Sequence, residues 1–255
     1  MAPSSTALFQ GQAPGQRLKT AAEVQATPPD QDTTRQQDDA FSMAQLWNGT
    51  GFIAQAAVVT FALSLSGRVL ARPLTLFSWH PLAQVLGLVA VVQSILVLQP
   101  ARAGGQRRVG RAVHAWLNLA SLAAFTGGFA AIYLNKERGN AVHFATTHGA
   151  IGAALTVLLW GQHLVGLAVW AAPYGGGRAR TLLLLTRAHR VAGYANLLLL
   201  LATFGTAAGT GFVRNALKVE PWVFYVPMAL IAVGVLPRIR AHKLGLTRKK
   251  KENKA

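Results

Sequence analysis

Long apolar runs without charged residues alternate with short polar and basic segments along most of the chain. There are six such runs, within residues 40–67, 73–101, 112–135, 139–177, 191–213 and 221–237. A membrane-spanning helix needs roughly 20 apolar residues, which five of the runs supply, and the sixth is shorter and bounded by prolines. Only helices satisfy their own backbone hydrogen bonds within lipid at this segment length. The pattern therefore predicts an all-α membrane protein with six transmembrane helices.

The two ends of the chain lack this pattern. Residues 1–44 are rich in Gln, Thr, Asp, Pro and Ala, and they have few of the aromatic and β-branched residues that form a core. We expect them to form a disordered tail. Residues 45–242 hold the apolar runs and form the predicted transmembrane domain. Residues 243–255 form a basic C-terminal tail.

The overall composition supports the membrane interpretation. Hydrophobic residues make up 52% of the chain and charged residues 13%, about half of the usual share in a soluble domain. The formal net charge of +17 could indicate nucleic acid binding. However, Lys and Arg fall almost entirely in the short loops and the C-terminal tail, which is typical of membrane proteins. We therefore expect no nucleic acid partner. The chain has no cysteine and hence no disulfide or thiolate site.

The basic residues also predict an orientation. The loops after the second and fourth runs and the C-terminal tail carry more Lys and Arg than the alternate loops. Because basic loops stay on the cytoplasmic side, both termini are predicted to be cytosolic, in agreement with an even number of helices. The membrane in question, whether endomembrane, vacuolar or plasma membrane, is left open.

Four histidines recur near the starts of the second to fifth runs. They are His80, His114, His148 and His189, at spacings of 34, 34 and 41 residues. In an antiparallel bundle, His80 and His148 share one depth, and His114 and His189 share the other. Two ligands at equal depth on facing helices can hold one metal centre between them. With about 1.5 Å of rise per residue, the two levels lie on the order of 20 Å apart.

The neighbouring residues favour a flat macrocycle over a bare ion. Gly152 and Gly193 each follow a histidine by four residues, one turn on along the same helix face, and leave room for a porphyrin edge. A zinc or copper site needs more ligands, and no Cys, Asp or Glu lies at these depths. The sequence therefore predicts two haem groups with bis-histidine ligation. The alternative for any one of these histidines is a polar packing role, but matched depths at four positions favour function.

Basic residues near each membrane face are candidate partners for haem propionates and anionic substrates. We expect Arg72 to serve the outer face, and Arg108, Arg111 and Arg190 the inner face. Lys136 and His143, in the loop before His148, are the candidate outer substrate site. No residue is predicted to act as a covalent catalyst.

Several segments resemble the cytochrome b561 family, in particular its small single-domain members. The matching segments are 77–81 (FSWHP), 114–118 (HAWLN), 135–149, with Lys136, Glu137, His143 and His148, and 189–194 (HRVAGY). Gln162 and Gly166 also stand where the family has Gln and Gly. The likeness runs in order through about residues 45–242. It departs from the family pattern at 96–102, which lacks the aromatic- and Arg-containing motif of ascorbate-utilising members, and at Asn118, where many members have a second histidine.

The resemblance implies six helices, a four-helix haem-binding core formed by helices two to five, and two haem b. It pairs His80 with His148 and His114 with His189. It also implies a transmembrane oxidoreductase that takes electrons from cytosolic ascorbate or a similar reductant. The expected acceptor is non-cytoplasmic ferric iron or monodehydroascorbate. The other partner is membrane lipid, and a homodimer is kept open. The alternative is a histidine-based metal or proton transporter without haem, although such a transporter usually has intramembrane acids, which are missing here.

Overall fold

The computed structural model describes residues 47–99, 104–172, 179–240 and 244, and within these ranges it is built from helices without a β-strand. The six main helices are α1 Gly51–Leu70, α2 Trp79–Leu98, α3 Gly104–Arg138, α4 Thr147–Ala171, α5 Ala179–Ala207 and α6 Trp222–Val235. The prediction of an all-α membrane protein is confirmed. The N-terminal tail and, apart from residue 244, the C-terminal tail lie outside the described residues, so the domain boundaries stay predictions.

Five of these helices, α1 to α5, are long and apolar enough to cross a membrane. The sixth, α6, has 14 residues and is followed by one 3₁₀ turn, Leu236–Arg238. Its length falls short of the roughly 20 residues of a standard span. Five helices therefore qualify as membrane spans by length and composition, and α6 is a shorter candidate for the predicted sixth span.

Two helices begin earlier than the apolar runs that predicted them. Helix α3 starts at Gly104 and α5 at Ala179, whereas their runs start at residues 112 and 191. Arg and Gln are good helix formers, so a helix can continue beyond the apolar stretch that marks its membrane-embedded part. As a consequence Arg108 and Arg111 lie on α3 rather than in a loop.

The hydrophobic core lies between α1, α2, α5 and α6. Phe61 of α1 stands at its centre, with edge-to-face contacts to Phe204 at 5.7 Å and to Phe224 at 5.3 Å between ring centroids. Helix α4 contributes only two buried residues, Leu155 and Leu159. Much of its remaining surface is apolar and exposed, which suits contact with lipid chains.

Two antiparallel hairpins, α2–α3 and α4–α5, position the histidines. Within the first hairpin the helices approach closely at Gly87, where a Cβ atom would lie 2.5 Å from the ring of Phe125. Ser121 of α3 donates a hydrogen bond to the Gly87 carbonyl across this contact, at 3.2 Å. Helices α3 and α4 pack less extensively, so the space between the hairpins is where a bound group can fit.

A test of this packing is to fill the close approach between α1 and α6. A Cβ atom at Gly234 would lie 2.5 Å from the backbone nitrogen of Ala54, so Gly234→Leu must push the helices apart. We expect the free energy of unfolding to fall by about 1–3 kcal/mol, because overpacking a close helix contact costs roughly that much. The measurement is the midpoint of thermal unfolding in detergent. Gly67→Leu is the control, because nothing lies within 4 Å of a Cβ at that position. Equal midpoints for the two variants would contradict this account of the interface.

Candidate functional site

The structure brings the four predicted histidines together as two pairs. The ring centroids of His80 and His148 lie 6.1 Å apart, with an angle of 80° between the ring planes. Those of His114 and His189 lie 6.4 Å apart, at 83°. Each pair joins one residue of the α2–α3 hairpin to one residue of the α4–α5 hairpin.

These separations match the space that one metal ion needs between two imidazoles. Imidazole nitrogens bind metal ions at about 2.0–2.1 Å, and the ring centre lies roughly 1.1 Å behind the nitrogen, which places the two centres about 6 Å apart. Within the described residues no group of three or more His, Cys, Asp or Glu side chains lies close enough to hold a metal ion. Each pair could therefore supply two ligands to one metal centre, and the remaining ligands would come from the bound group.

Three of the four rings are anchored through Nδ1 to a backbone carbonyl of the neighbouring helix. Nδ1 of His80 donates to the Gly128 oxygen at 3.0 Å, and Nδ1 of His114 donates to the Ser94 oxygen at 2.9 Å. Nδ1 of His148 donates to the Thr203 oxygen at 3.0 Å. This bond fixes the tautomer and leaves Nε2 with a free lone pair, as a metal-binding histidine requires. Backbone acceptors have no sequence signature, so these partners were not predicted.

The fourth ring, His189, is held from α4. The amide nitrogen of Gln162 lies 3.1 Å from Nδ1 of His189 and donates to the His189 carbonyl at 2.8 Å. One turn further along α4, Gly166 leaves room for the ring, because a Cβ atom there would lie 2.9 Å from Cε1 of His189. Gln162 and Gly166 therefore set the position of His189. Gly193, expected to border a porphyrin, instead faces the amide of Gln162.

The two pairs lie at two levels of the bundle. On α2, Ser94, which accepts from His114, follows His80 by 14 residues. On α4, Gln162, which contacts His189, follows His148 by the same number. At about 1.5 Å of rise per residue, the levels are about 21 Å apart on both helices. This separation agrees with the expected two-level arrangement.

A cavity of about 300 Å³ surrounds the His80–His148 pair. Its walls are largely apolar, with Phe77, Phe129 and Phe204 among them, and Gly152 lies in its lining as expected for a residue that leaves room for a flat group. The cavity extends from the two histidines to Lys136 and His143, the predicted substrate residues.

Local bonds hold both of these residues in place. Nζ of Lys136 donates to the Val142 carbonyl at 2.7 Å. Nε2 of His143 lies 2.8 Å from Oε1 of Glu137, and its ring centroid lies 4.5 Å from that of Tyr133. The sequence did not predict the Glu137 partner, although its position in the last turn of α3, six residues before His143, is the signal that could have indicated it.

Two of the predicted arginines lie in the first turns of α3, one lies within α5, and one lies in the turn after α1. Arg108 and Arg111 are exposed on α3, six and three residues before His114, and Arg190 is exposed directly after His189. They therefore lie close to the level of the His114–His189 pair. Arg72 is exposed in the turn after α1, outside the lining of the cavity around His80 and His148.

The fold and the paired histidines define an integral membrane protein that presents two bis-histidine sites, one at each end of a four-helix core. Residues 79–213, just over half of the chain, match the eukaryotic cytochrome b561 family, and the chain belongs to this family. The match contains all four histidines.

Two mouse proteins show the similarity at the level of individual relatives. A lysosomal membrane ascorbate-dependent ferrireductase of Mus musculus is 27% identical over 110 residues, covering 42% of this chain and 46% of the relative. A transmembrane reductase of Mus musculus is 32% identical over 112 residues, covering 42% of this chain and 50% of the relative. The chain thus spans about half the length of the curated relatives that it matches.

Membership of the cytochrome b561 family implies a haem b cofactor. The residues present fit such a group. Each ring pair has the separation for one iron between two imidazoles, and the anchoring of Nδ1 leaves Nε2 of His80, His114 and His148 available. The cavity around His80 and His148 has the apolar walls that a porphyrin prefers.

Filling the space at Gly166 tests how α4 positions His189. In Gly166→Leu the new side chain must displace the His189 ring, so we expect the haem content to fall by about half. Gly161→Leu is the matched control on the same helix, because nothing lies within 4 Å of a Cβ there. The measurement is the reduced-minus-oxidised spectrum of the purified protein, normalised to protein concentration. Full haem content in Gly166→Leu would show that the His189 ring does not depend on this glycine.

Proposed function

We propose that this chain is a transmembrane oxidoreductase that moves electrons across the membrane between two haem b groups. His80 and His148 would hold one haem, and His114 and His189 the other. A bound haem b supplies one-electron oxidation and reduction of its iron. The protein's part is to hold each iron through two imidazoles, to fix the tautomers of His80, His114 and His148 through backbone carbonyls, and to keep the two sites at a constant separation.

The observation that carries this proposal is the repeated geometry of the two ring pairs. Both pairs have nearly the same separation and interplanar angle, and both are formed between the same two hairpins. Their levels differ by 14 residues on α2 and on α4 alike. Two equivalent sites near opposite ends of one bundle form a path for electrons and have no evident use in a structural role.

The His114–His189 end is proposed to receive electrons from a cytosolic donor. Arg108, Arg111 and Arg190 surround this end with positive charge, which attracts an anionic reductant such as ascorbate. The name of the mouse ferrireductase, which includes ascorbate dependence, supports this class of donor. The loops at this end and the C-terminal tail carry more Lys and Arg than the alternate loops. This excess supports a cytosolic location of this end and of both termini.

The His80–His148 end is proposed to deliver electrons to a non-cytoplasmic acceptor such as ferric iron or monodehydroascorbate. Lys136 and His143 line the same cavity as this histidine pair, so an acceptor bound by them would lie next to the haem. Lys136 adds a positive charge for an anionic acceptor or an iron chelate.

Haem content is the direct test of the two-site arrangement. We expect two haem b per chain in the purified protein and one in each single variant, because each substitution removes one ligand pair. His80→Ala and His148→Ala should lose the same spectral component, and His114→Ala and His189→Ala should lose the other. The measurements are a haem-to-protein ratio and low-temperature difference spectra.

Two results would contradict the arrangement. A haem-to-protein ratio of one in the wild type would mean that only one histidine pair binds haem. Loss of the same spectral component in His80→Ala and His114→Ala would refute the pairing. A protein with no haem spectrum would favour the transporter alternative.

The basic cluster at the His114–His189 end predicts an effect on the rate of reduction. Replacing Arg108 and Arg111 with Gln should slow reduction by ascorbate, by roughly tenfold at low ionic strength, because electrostatic steering changes association rates by factors of 10 or more. The same change should make the rate less sensitive to salt. Stopped-flow absorbance at the haem band measures both.

Arg68 and Arg72 provide the matched control, since they lie at the opposite end of the bundle. Their replacement with Gln should leave the rate of reduction by ascorbate unchanged. Equal rates in the wild type and the Arg108 and Arg111 variant, with full haem content, would place the donor site elsewhere.

A further inference from the structure

Phe144 has a backbone conformation that phenylalanine rarely adopts. Its φ angle is +55°, in the left-handed region, and it lies in the short connection between α3 and α4. Bulky side chains are disfavoured in this region because the Cβ atom comes too close to the following carbonyl oxygen. Such strain persists only where the surrounding structure enforces it, and it is concentrated at sites that hold a ligand. The conformation of Phe144 therefore indicates a role of its side chain beyond filling space.

The backbone on both sides of Phe144 is fixed by local contacts. Nζ of Lys136, in the last turn of α3, donates a hydrogen bond to the Val142 carbonyl at 2.7 Å. On the other side, Thr146 caps α4 and accepts a hydrogen bond from the Gly149 nitrogen at 3.1 Å. Gly149 lies directly against the strained residue, because a Cβ atom there would be 3.5 Å from the Cα of Phe144. Phe144 is thus held between the end of α3 and the start of α4.

The ring of Phe144 lies at the mouth of the cavity around His80 and His148. The residue belongs to the lining of that cavity and is nevertheless 47% exposed. Its ring stacks on that of Phe129 of α3, with the centroids 6.5 Å apart and an angle of 10° between the planes. A side chain that lines the cavity and also meets the outside stands between the two. The left-handed backbone therefore places an apolar ring at the entrance to this histidine pair.

We infer that Phe144 is a specificity-determining residue of the His80–His148 site, whose ring narrows the entrance and limits which acceptors come close to the bound group. The proposed acceptor residues Lys136 and His143 line the same cavity, and the ring of His143 lies 5.7 Å from that of Phe144. An acceptor held by them must approach beside the Phe144 ring, which keeps a bulky acceptor farther away than a compact one. The inference rests on the proposed function, since it needs a redox centre at this pair.

The strain and the ring have separable effects. Glycine adopts a positive φ at no steric cost, so Phe144→Gly removes both the ring and the strain. Alanine has a Cβ atom, so Phe144→Ala removes the ring and retains the strain. Phe144→Tyr retains both. A role of the ring at the entrance therefore predicts that the Gly and Ala variants open the entrance alike, while the Gly variant has the higher midpoint of thermal unfolding. A higher midpoint in the Ala variant would contradict the strain.

The first test compares the rates at which the reduced protein gives one electron to acceptors of different size. Pentaammine(pyridine)ruthenium(III) is the compact acceptor and tris(phenanthroline)cobalt(III) the bulky one. Both are triply charged cations that take one electron without forming or breaking a bond to the protein. In Phe144→Gly and Phe144→Ala, the ratio of the cobalt rate to the ruthenium rate should rise severalfold above that of the wild type. Phe144→Tyr should keep the wild-type ratio.

Asn140→Gly is the matched control for this test. Asn140 has a φ of +48° in the same loop and lies outside the lining of the cavity, so its replacement changes the loop backbone without opening the entrance. It should keep the wild-type ratio. An unchanged ratio in both the Gly and Ala variants of Phe144 would overturn the inference. An equal rise in Asn140→Gly would do so too, because the effect would then belong to the loop backbone and not to the ring.

A second measurement does not need a bound group. The chain has no cysteine, so Ile132→Cys introduces a single thiol into the cavity lining, one turn beyond Phe129 on α3. Adding Phe144→Gly or Phe144→Ala should speed the modification of this thiol by a water-soluble maleimide severalfold, and adding Asn140→Gly should not. Equal rates in all of these proteins would refute shielding by the ring. Faster modification in a protein without a haem spectrum would contradict the proposed function alone.

Discussion

The structure depends on the hydrogen bonds that anchor each histidine ring to the helix beside it in sequence. His80 and His114 bond to each other's helix within the α2–α3 hairpin, through the carbonyls of Gly128 and Ser94. His148 bonds within the α4–α5 hairpin in the same way, through Thr203. Each hairpin thus orients its own rings through contacts within the hairpin. The ring pairs then form across the gap, where packing between hairpins is weakest.

This division of roles explains the distribution of small residues. Glycines stand where a backbone or a ring must approach closely, at Gly87 within the first hairpin and at Gly166 beneath His189. Large apolar residues fill the core between α1, α2, α5 and α6, where Phe61 packs against two other rings. The outer helices therefore support the four-helix core from one side, while α4 presents most of its surface to lipid.

The two ends of the bundle differ in their chemistry. At the His114–His189 end, arginines lie on helices that extend beyond the apolar stretch, and His163 of α4 contacts the Asn118 carbonyl of α3. At the His80–His148 end, a cavity with apolar walls opens toward Lys136 and the Glu137–His143 pair. This asymmetry gives the two histidine pairs, which have nearly the same ring geometry, different surroundings.

The sequence by itself determined the helical class, most of the helices and the candidate role of the four histidines. The length of an apolar run and the spacing of histidines can be seen in the sequence without knowledge of the tertiary structure. It also placed the histidines at two levels, since antiparallel helices of known rise leave little choice. Only the tertiary structure decided the early starts of α3 and α5, the carbonyl partners of the rings and the contacts of His163. The ring contacts depend on which backbone atoms face each other across helices. Because every residue has the same backbone carbonyl, the sequence does not indicate which carbonyl accepts a given hydrogen bond.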